Sequence, residues 1–196
     1  MQSEESVYED KTRKLILLAA EISAALWVHL RIFETTLRSF IHDVLSLAYK
    51  SDEWWLVPEL LSSRDLRDIH SAKRRLEYQK RNITPFLVIN NMSLSFWVEL
   101  LGFRYYKQVW VHLAKALPHY NGSREDFYNK AREIRNLRNS IAHHGPIMRR
   151  NLIRDHAYLG ELTAILDPEL AREVEKRSRV LDLLLKARLV GSGGGI

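Results

Sequence analysis

The sequence predicts an all-α protein, and three observations lead to that prediction. Apolar residues recur at helical spacing across residues 11–50, where neither proline nor glycine interrupts them. Several later segments have the same spacing and are bracketed by residues that typically begin or end helices. No segment shows a convincing alternation of apolar and polar residues, which is the pattern of a half-buried strand.

Length and composition favour a soluble globular protein. We expect a single domain over residues 1–190, followed by a tail, 191–196, that resembles a flexible linker or a cloning scar. Apolar residues make up 46% of the chain and charged residues 28%, which is ordinary for such proteins. Cysteine is absent, so disulfides and thiolate metal sites are excluded. The histidines are scattered, and the sequence predicts no metal site and no cofactor.

The charge and the apolar runs bear on partners and location. A formal net charge of +6 and a pI near 9.6 permit nucleic-acid binding without requiring it. Charged residues interrupt the longest apolar runs, such as 15–20, and the acidic start is unlike a signal peptide. The sequence therefore predicts a cytoplasmic protein that does not enter a membrane.

The predicted N-terminal helix over residues 11–50 is unusually long. A small helical bundle cannot bury its apolar stripe along the whole length, so we expect a kink or a partner. Glu34 and Arg38 lie four residues apart on one face, the spacing of a solvated ion pair. Trp54 and Trp55 follow the helix and are expected to close one end of the bundle; stacking on nucleic-acid bases is the alternative.

The next predicted helix, over residues 62–81, has an outer face rich in basic residues around Tyr78. Such a cluster with an interleaved aromatic residue suits contact with an RNA backbone, where cations displace condensed counterions. It is equally typical of a plain solvated face. The candidate RNA contacts are Lys73, Arg74, Arg75, Lys80 and Arg81.

Thr84 and Pro85 predict the start of a helix that runs to Leu101, with a break at Asn90-Asn91, and Gly102 closes it. Further helices are predicted over residues 104–117, 148–166 and 169–189, with breaks at Pro118, Pro146 and Asp167-Pro168.

The helix that precedes Pro146 carries the most informative polar residues. Ser123 and Asp126 indicate its start, and Gly145 is expected to end it in a left-handed conformation. Apolar residues at helical spacing predict that one face is buried. They are Phe127, Ala131, Ile134, Leu137 and Ile141.

Arg138 falls inside this apolar stripe, where a cation is costly unless acceptors or a phosphate meet it. Asn139 and His143 lie four residues apart on one flank, and Arg132 lies on the same side. A fixed cation beside a histidine that titrates near neutrality suits phosphodiester chemistry. The structural alternative is an arginine that snorkels to the surface and a histidine that caps the helix. Arg149 and Arg150 follow closely and would widen a positive rim.

The segment from Arg138 to His143, R-N-S-I-A-H, resembles the R-x(4–6)-H motif of the HEPN superfamily. The resemblance to its Abi-like (abortive infection) branch extends over roughly residues 10–170. Two departures are visible, since Gly145 replaces a common Glu and Leu94-Ser95 replaces an expected Phe-Gly pair. The further matching segments are Leu26-Trp27 through Leu30, Phe33-Glu34 and Leu37-Arg38, then Phe96-Trp97, Leu100-Leu101, Trp110 and Leu117-Pro118, and finally His143-His144-Gly145-Pro146-Ile147.

The resemblance implies a HEPN-type helical bundle with extra C-terminal helices, and a homodimer in which the two motif helices face each other. It implies a metal-independent endoribonuclease in which His143 moves protons, Arg138 stabilises the phosphate and Asn139 orients the histidine or binds an oxygen. It also suggests that Glu34 holds Arg38 or Arg138, while His144 caps the helix or lies at the rim.

The same resemblance implies an antiphage or toxin role in bacteria, with RNA as substrate. Whether a cognate antitoxin, either a protein or a small RNA, restrains the protein is left open by the sequence. Two alternatives remain open. The chain binds RNA without cutting it, as a sensor or partner protein, or it is a helical interaction protein in which Arg138 serves only the dimer interface.

Overall fold

The structure is a computed structural model that describes residues 4–192, with side chains for residues 9–190. Every regular element within this range is helical, which confirms the all-α prediction and the long N-terminal helix. The helices are α1 Glu4–Tyr49, α2 Ser63–Tyr78, α3 Pro85–Asn90, α4 Leu94–Leu100, α5 Val111–Ala116, α6 Arg124–Ala142, α7 Leu152–Leu166, α8 Pro168–Lys176 and α9 Val180–Ser192.

Backbone contacts divide the chain into two units. The first consists of the residues up to Phe33 together with those from Asn136 onward, and the second is Glu34–Arg135. Helices α1 and α6 therefore contribute residues to both units. The single domain over 1–190 stays a prediction. Of the predicted tail, the first two residues belong to α9, and 193–196 lie outside the described residues.

The first unit has its core along one stripe of α1, where Ile22, Leu26 and Leu30 are fully or almost fully buried. Helix α7 packs against both α8 and α9. Residues on α6, α7 and α9 supply further buried side chains of this unit. They include Leu137, Leu152, Leu159, Leu162, Val180 and Leu183.

The N-terminal half of α1 leaves much of its apolar surface open. Only 22% of the most apolar 18-residue stretch between Glu9 and Tyr49 is buried. By length and composition alone this helix could cross a membrane, a test that core helices of soluble proteins also pass. The cytoplasmic location stays a prediction. Ile16, Leu17 and Val28, which lie off the predicted stripe, are exposed, and the expected kink or partner of α1 stays a prediction.

The second unit is built around aromatic residues. Trp54 and Trp55 are buried, with ring centroids 5.4 Å apart, and Trp97 lies 6.4 Å from Trp54. Neither ring of the Trp54-Trp55 pair is exposed for stacking on a base, and both pack in the core of this unit. That they close one end of a bundle stays a prediction. Phe127 of α6 packs 5.7 Å from the Trp110 ring in the same unit.

Side chains cap several helices locally, and the predicted cap at Thr84 is one of them. Ser62, Thr84 and Ser93 accept hydrogen bonds from backbone N–H groups at the starts of α2, α3 and α4. The break at Asn90-Asn91 separates α3 from α4, as predicted. Arg154 N–H likewise donates to Asn151 at the start of α7.

Two predicted helices differ from the structure. Residues 104–117 are not one α-helix: a 3-10 turn, Phe103–Tyr105, and a π-helical turn, Tyr106–Trp110, precede α5. The buried Tyr105 hydroxyl donates to Asp65, a tertiary contact at the site where the backbone departs from α geometry. Residues 169–189 form two helices, α8 and α9, because the chain turns at Arg177–Arg179.

Candidate active site and basic surface

The C-terminus of α6 closes in a Schellman motif. The His144 N–H donates to the Ile141 carbonyl at 3.1 Å, and the Gly145 N–H donates to the Ser140 carbonyl at 2.7 Å. The left-handed residue is His144, with φ of 54°, so the prediction that Gly145 takes this conformation is wrong. Gly145 is instead a close-approach position, since a Cβ there would lie 3.2 Å from the Ser140 oxygen. The motif thus presents His143 at the exit of the helix.

Arg138 is half-buried and lies against an aromatic face. Its guanidinium carbon is 5.7 Å from the centroid of the Trp27 ring on α1, within the same unit, and its Nε is buried. Stacking on a ring favours arginine because its delocalised charge is weakly hydrated and the ring face is electron-rich. The side chain therefore keeps its positive charge in a restricted position.

His143 is exposed and Asn139 is half-buried. The His143 N–H donates to the Asn139 carbonyl at 3.0 Å, so both residues still follow the helical path. Arg138 and His143 are five residues apart, and their side chains leave the helix about 140° apart around its axis. A single copy of α6 thus directs the cation and the imidazole toward different sides.

Glu34 and Arg38 form an ion pair at 3.7 Å, and both side chains are mostly buried, with 18% and 12% exposed. The interpretation of this pair as solvated is therefore wrong. Arg38 also donates to Asn90 Oδ1 at 2.6 Å, which links α1 to α3. Glu34 thus positions Arg38, one of the two roles that the resemblance suggested for it.

The predicted rim is divided between exposed and structural arginines. Arg149 is exposed, but Arg150 donates to Asp155 Oδ2 at 2.8 Å. The Asp155 carboxylate is completely buried and receives a second ion pair from Arg154 at 3.2 Å. Arg150 therefore has a structural role that the sequence did not reveal, and its contact with RNA stays a prediction. In the second unit, the exposed Arg132 lies 5.8 Å from the Tyr128 ring.

The basic residues of α2 and the turn after it form an exposed surface in the second unit. Arg74, Arg75, Lys80 and Arg81 are exposed, and the Tyr78 side chain is 91% exposed. A shallow depression of about 360 Å³ lies among Ser71, Arg74, Arg75, Tyr78 and Gln79.

Lys73 differs from the other members of the predicted set. Its ammonium pairs with Glu53 at 3.2 Å and lies 6.0 Å from the Trp55 ring centroid. Lys73 is half-buried, so the α2 surface that faces solvent consists of its four neighbours and Tyr78. An exposed phenol ring among exposed cations is the arrangement on which single-stranded nucleic acid stacks.

A polar cluster that the sequence did not reveal lies in the first unit. His29 of α1 and His156 of α7 are both buried, and their rings meet edge to face with centroids 4.8 Å apart. Ser178 Oγ lies 2.9 Å from His29 Nε2 and 3.3 Å from His156 Nε2. Glu175 of α8 lies 3.5 Å from His156 Nε2. The residues are far apart in sequence, and no motif spacing joins them.

Burial sets the protonation of this cluster. Burial, with a smaller contribution from the neighbouring His156, lowers the pKa of His29 from 6.5 to about 4. Burial also lowers the pKa of His156, against the opposing effect of the Glu175 carboxylate. Both imidazoles are therefore neutral near neutral pH.

Comparison with known proteins adds no family to this picture. No model of a protein family matches the chain, and neither does any curated protein or any solved structure.

Proposed function

We propose that this protein is a HEPN-type, metal-independent endoribonuclease that acts in bacterial antiphage abortive infection or as a toxin. The observation that carries the proposal is the end of α6, where a restrained, half-buried Arg138 precedes an exposed His143 by five residues. The similarity of this segment to the R-x(4–6)-H motif supplies the reaction class. The exposed basic surface of α2 supports RNA as the substrate.

In the proposed reaction, His143 takes the proton of a ribose 2′-hydroxyl, and that oxygen attacks the adjacent phosphorus. The bond to the 5′-oxygen breaks, and that oxygen receives a proton from an imidazolium. Arg138 stabilises the extra negative charge on the phosphorane oxygens. Asn139 orients the imidazole or donates to a phosphate oxygen. The products carry 2′,3′-cyclic phosphate and 5′-hydroxyl ends, and DNA is not cut because it lacks the attacking group.

The proposal includes a homodimer. One copy of α6 directs Arg138 and His143 about 140° apart, so an arginine and a histidine from different copies can face one phosphate more readily than two from one copy. Exposed apolar residues on α1 and α9, among them Leu17, Leu185 and Leu189, support a partner that covers them. A second copy of the chain meets both requirements.

A second candidate function is RNA binding without cleavage. It rests on the α2 surface, where Tyr78, Arg74 and Arg75 line a depression and the exposed Lys80 and Arg81 follow in sequence. It does not need the α6 residues. This function predicts RNA association that survives His143→Ala and is lost when Tyr78, Arg74 and Arg75 are replaced by alanine.

Expression in a bacterial host separates the two functions. The nuclease predicts growth arrest that Arg138→Ala or His143→Ala relieves, with unchanged circular dichroism and thermal stability. The matched control is His119→Ala, an exposed histidine outside the motif, which should stay as toxic as the parent protein. Relief by the control variant as well, or persistent toxicity in both motif variants, contradicts the assignment of these residues.

A restrained or trigger-dependent nuclease is tested in the same strains. If the parent protein is harmless alone, phage infection should induce RNA cleavage that disappears in His143→Ala. A host that shows intact RNA with and without infection contradicts the nuclease and favours the binding function. Co-purification of a small protein or RNA with the harmless form would identify the antitoxin.

A further inference from the structure

The buried cluster of the first unit joins three helices through groups that are metal ligands elsewhere in proteins. His29 comes from α1, His156 from α7 and Glu175 from α8. One ligand atom from each of these residues lies within 4.8 Å of the other two. Two histidines with one glutamate are a ligand set found at zinc sites that keep a fourth, open position. The cluster is independent of the α6 motif and of the proposed nuclease.

The distances around His156 are close to those of a coordination polyhedron. Zinc bonds to nitrogen and oxygen are about 2.0–2.1 Å long, so neighbouring ligands of a tetrahedral ion are about 3.3 Å apart. His156 Nε2 and Glu175 Oε2 are 3.5 Å apart. Ser178 Oγ is 3.3 Å from His156 Nε2 and 2.9 Å from His29 Nε2. Small side-chain movements would bring three protein ligands around one point near the serine oxygen.

The chemical type of the ligand atoms favours a transition metal. Two imidazole nitrogens select zinc and related transition metals over magnesium and calcium, which prefer oxygen ligands.

We propose that His29, His156 and Glu175 bind one divalent transition-metal ion, with Zn²⁺ preferred. Ser178 Oγ or a water molecule completes the coordination. The ion fastens α1 to α7 and α8 within the first unit. Because the unfolded chain does not bring these residues together, binding stabilises the folded state by mass action.

The site has a route from solvent. His29 and Ser178 line a cavity of about 480 Å³ whose other walls are largely apolar, including Val28, Leu170 and Val174. The Glu175 side chain is 54% exposed, so one side of the cluster faces water. An ion can therefore enter beside Glu175, and the cavity leaves room for a water or a small ligand at the fourth position.

The competing interpretation is a metal-free hydrogen-bond cluster. The Ser178 hydroxyl has one hydrogen, so it donates to one imidazole and accepts from the N–H of the other. This arrangement satisfies both buried rings without Glu175. The two interpretations therefore differ in the effect of removing the Glu175 carboxylate: only the metal site loses a ligand.

The test uses the full chain without a histidine tag, stripped with EDTA and dialysed. Titration calorimetry with Zn²⁺ should show one site per chain, and Mg²⁺ should give no heat of binding. The melting temperature should rise with Zn²⁺ at concentrations above the dissociation constant. Substitution by Co²⁺ should produce the intense visible absorption of tetrahedral nitrogen and oxygen coordination.

Variants locate the ion. Glu175→Gln and His156→Gln should each weaken Zn²⁺ binding at least about 100-fold, since changes to mere supporting residues already reduce affinity 10- to 100-fold. The control His70→Gln, at an exposed histidine of α2, should bind as the parent protein does. Because the Glu175 side chain is largely exposed, that variant keeps its fold even if His156→Gln does not.

Two results would overturn the proposal. If the parent chain binds no Zn²⁺, the residues form only a hydrogen-bonded cluster. If Zn²⁺ binds but the affinity is unchanged in Glu175→Gln and His156→Gln, the ion lies elsewhere. Neither readout involves RNA, so these results are independent of the nuclease proposal.

Discussion

Among the residues that the structure describes, four other than glycine adopt positive φ, and one of them, His144, lies directly beside the proposed catalytic histidine. Left-handed backbone is unfavourable for residues with a Cβ by about 1–2 kcal/mol. At His144 the Schellman hydrogen bonds of α6 hold this conformation in place. The end of the motif helix is therefore held under local backbone strain, which belongs to His144 rather than to His143 or Gly145.

This strain predicts the effect of His144→Gly. The variant should be more stable by about 0.5–1 kcal/mol, because relief of the left-handed conformation outweighs the added entropy of the unfolded chain. Lys80→Gly, at the equivalent left-handed position after α2, should behave in the same way. Urea denaturation measures both. Ser39→Gly, inside α1, is the control and should lower stability; a decrease in all three variants contradicts the argument.

A second prediction at the residue scale concerns His42. The Trp54 indole N–H donates to His42 Nδ1 at 3.2 Å, which requires an unprotonated ring nitrogen. Burial lowers the pKa of His42 below 6.5, although Asp43 and Asp52 partly oppose the shift. Between the folded and the unfolded pKa the unfolded chain binds more protons, so stability falls as the pH drops below 6.5.

The measurement compares the parent protein with His42→Asn, whose side chain can accept the same hydrogen bond without titrating. Its free energy of unfolding should depend less on pH across the range of about 5 to 7. NMR of the indole N–H of Trp54 should report the same protonation. If the free energy of unfolding depends on pH equally in the two proteins, the pKa of His42 is not lowered in the folded state.

The candidate site was partly predictable at this scale. Helical spacing alone placed Arg138 on the apolar side and His143 in the last turn, and the structure has Arg138 half-buried and His143 exposed. Spacing could not reveal the Trp27 ring, because 111 residues separate it from Arg138 and no local rule joins them. The cluster of His29, His156 and Glu175 was missed for the same reason.

Among the secondary-structure elements, helix ends were predictable from the sequence where a local side chain caps the helix. They were not predictable where contacts with residues distant in sequence accompany the end of a helix. Thr84 and Ser62 begin helices through hydrogen bonds to residues three positions later, a signal that the sequence contains. The turn between α8 and α9 has no proline or glycine. Its Ser178 faces His29 and His156, so a distant polar contact accompanies the end of α8.

A buried carboxylate at the start of α7 allows the contribution of an ion pair to stability to be tested. Asp155 is fully buried and forms ion pairs with Arg150 and Arg154. Removing Arg150 therefore leaves a buried carboxylate with only one of its two positive partners. Arg150→Ala should lower stability by up to about 3 kcal/mol, below the full penalty of a broken buried pair because Arg154 remains.

Arg149→Ala is the matched control, since Arg149 is exposed and adjacent in sequence. It should change stability by less than about 0.5 kcal/mol while weakening RNA binding. Thermal denaturation and an RNA filter-binding assay distinguish the two arginines. Equal stability losses would contradict the structural role of Arg150.

At the scale of the whole molecule, the exposed apolar residues of α1 and α9 predict self-association. Leu17, Leu18, Leu189 and Val190 line one shallow cavity of about 430 Å³. Burial of such a surface against a second copy would stabilise a dimer by roughly 25 cal/mol per Å² of apolar area. The loss of translational, rotational and side-chain freedom on association opposes this gain.

The corresponding variant is Leu17→Glu with Leu189→Glu. Sedimentation velocity should show a dimer for the parent protein and a monomer for the variant, with unchanged helical content. Glu21→Gln, a charge change on the same helix, is the control and should remain dimeric. A monomeric parent protein would contradict the dimer, and with it the shared cleft of the nuclease proposal.

End-group analysis of RNA cut by the purified protein in EDTA tests the nuclease proposal directly. The cut RNA should carry 2′,3′-cyclic phosphate and 5′-hydroxyl ends, and DNA of the same sequence should stay intact. The rate should fall by about 10²–10³ in Arg138→Ala and by about 10²–10⁴ in His143→Ala. Cleavage that leaves 5′-phosphate ends, or that continues at the parent rate in both variants, would contradict the proposal.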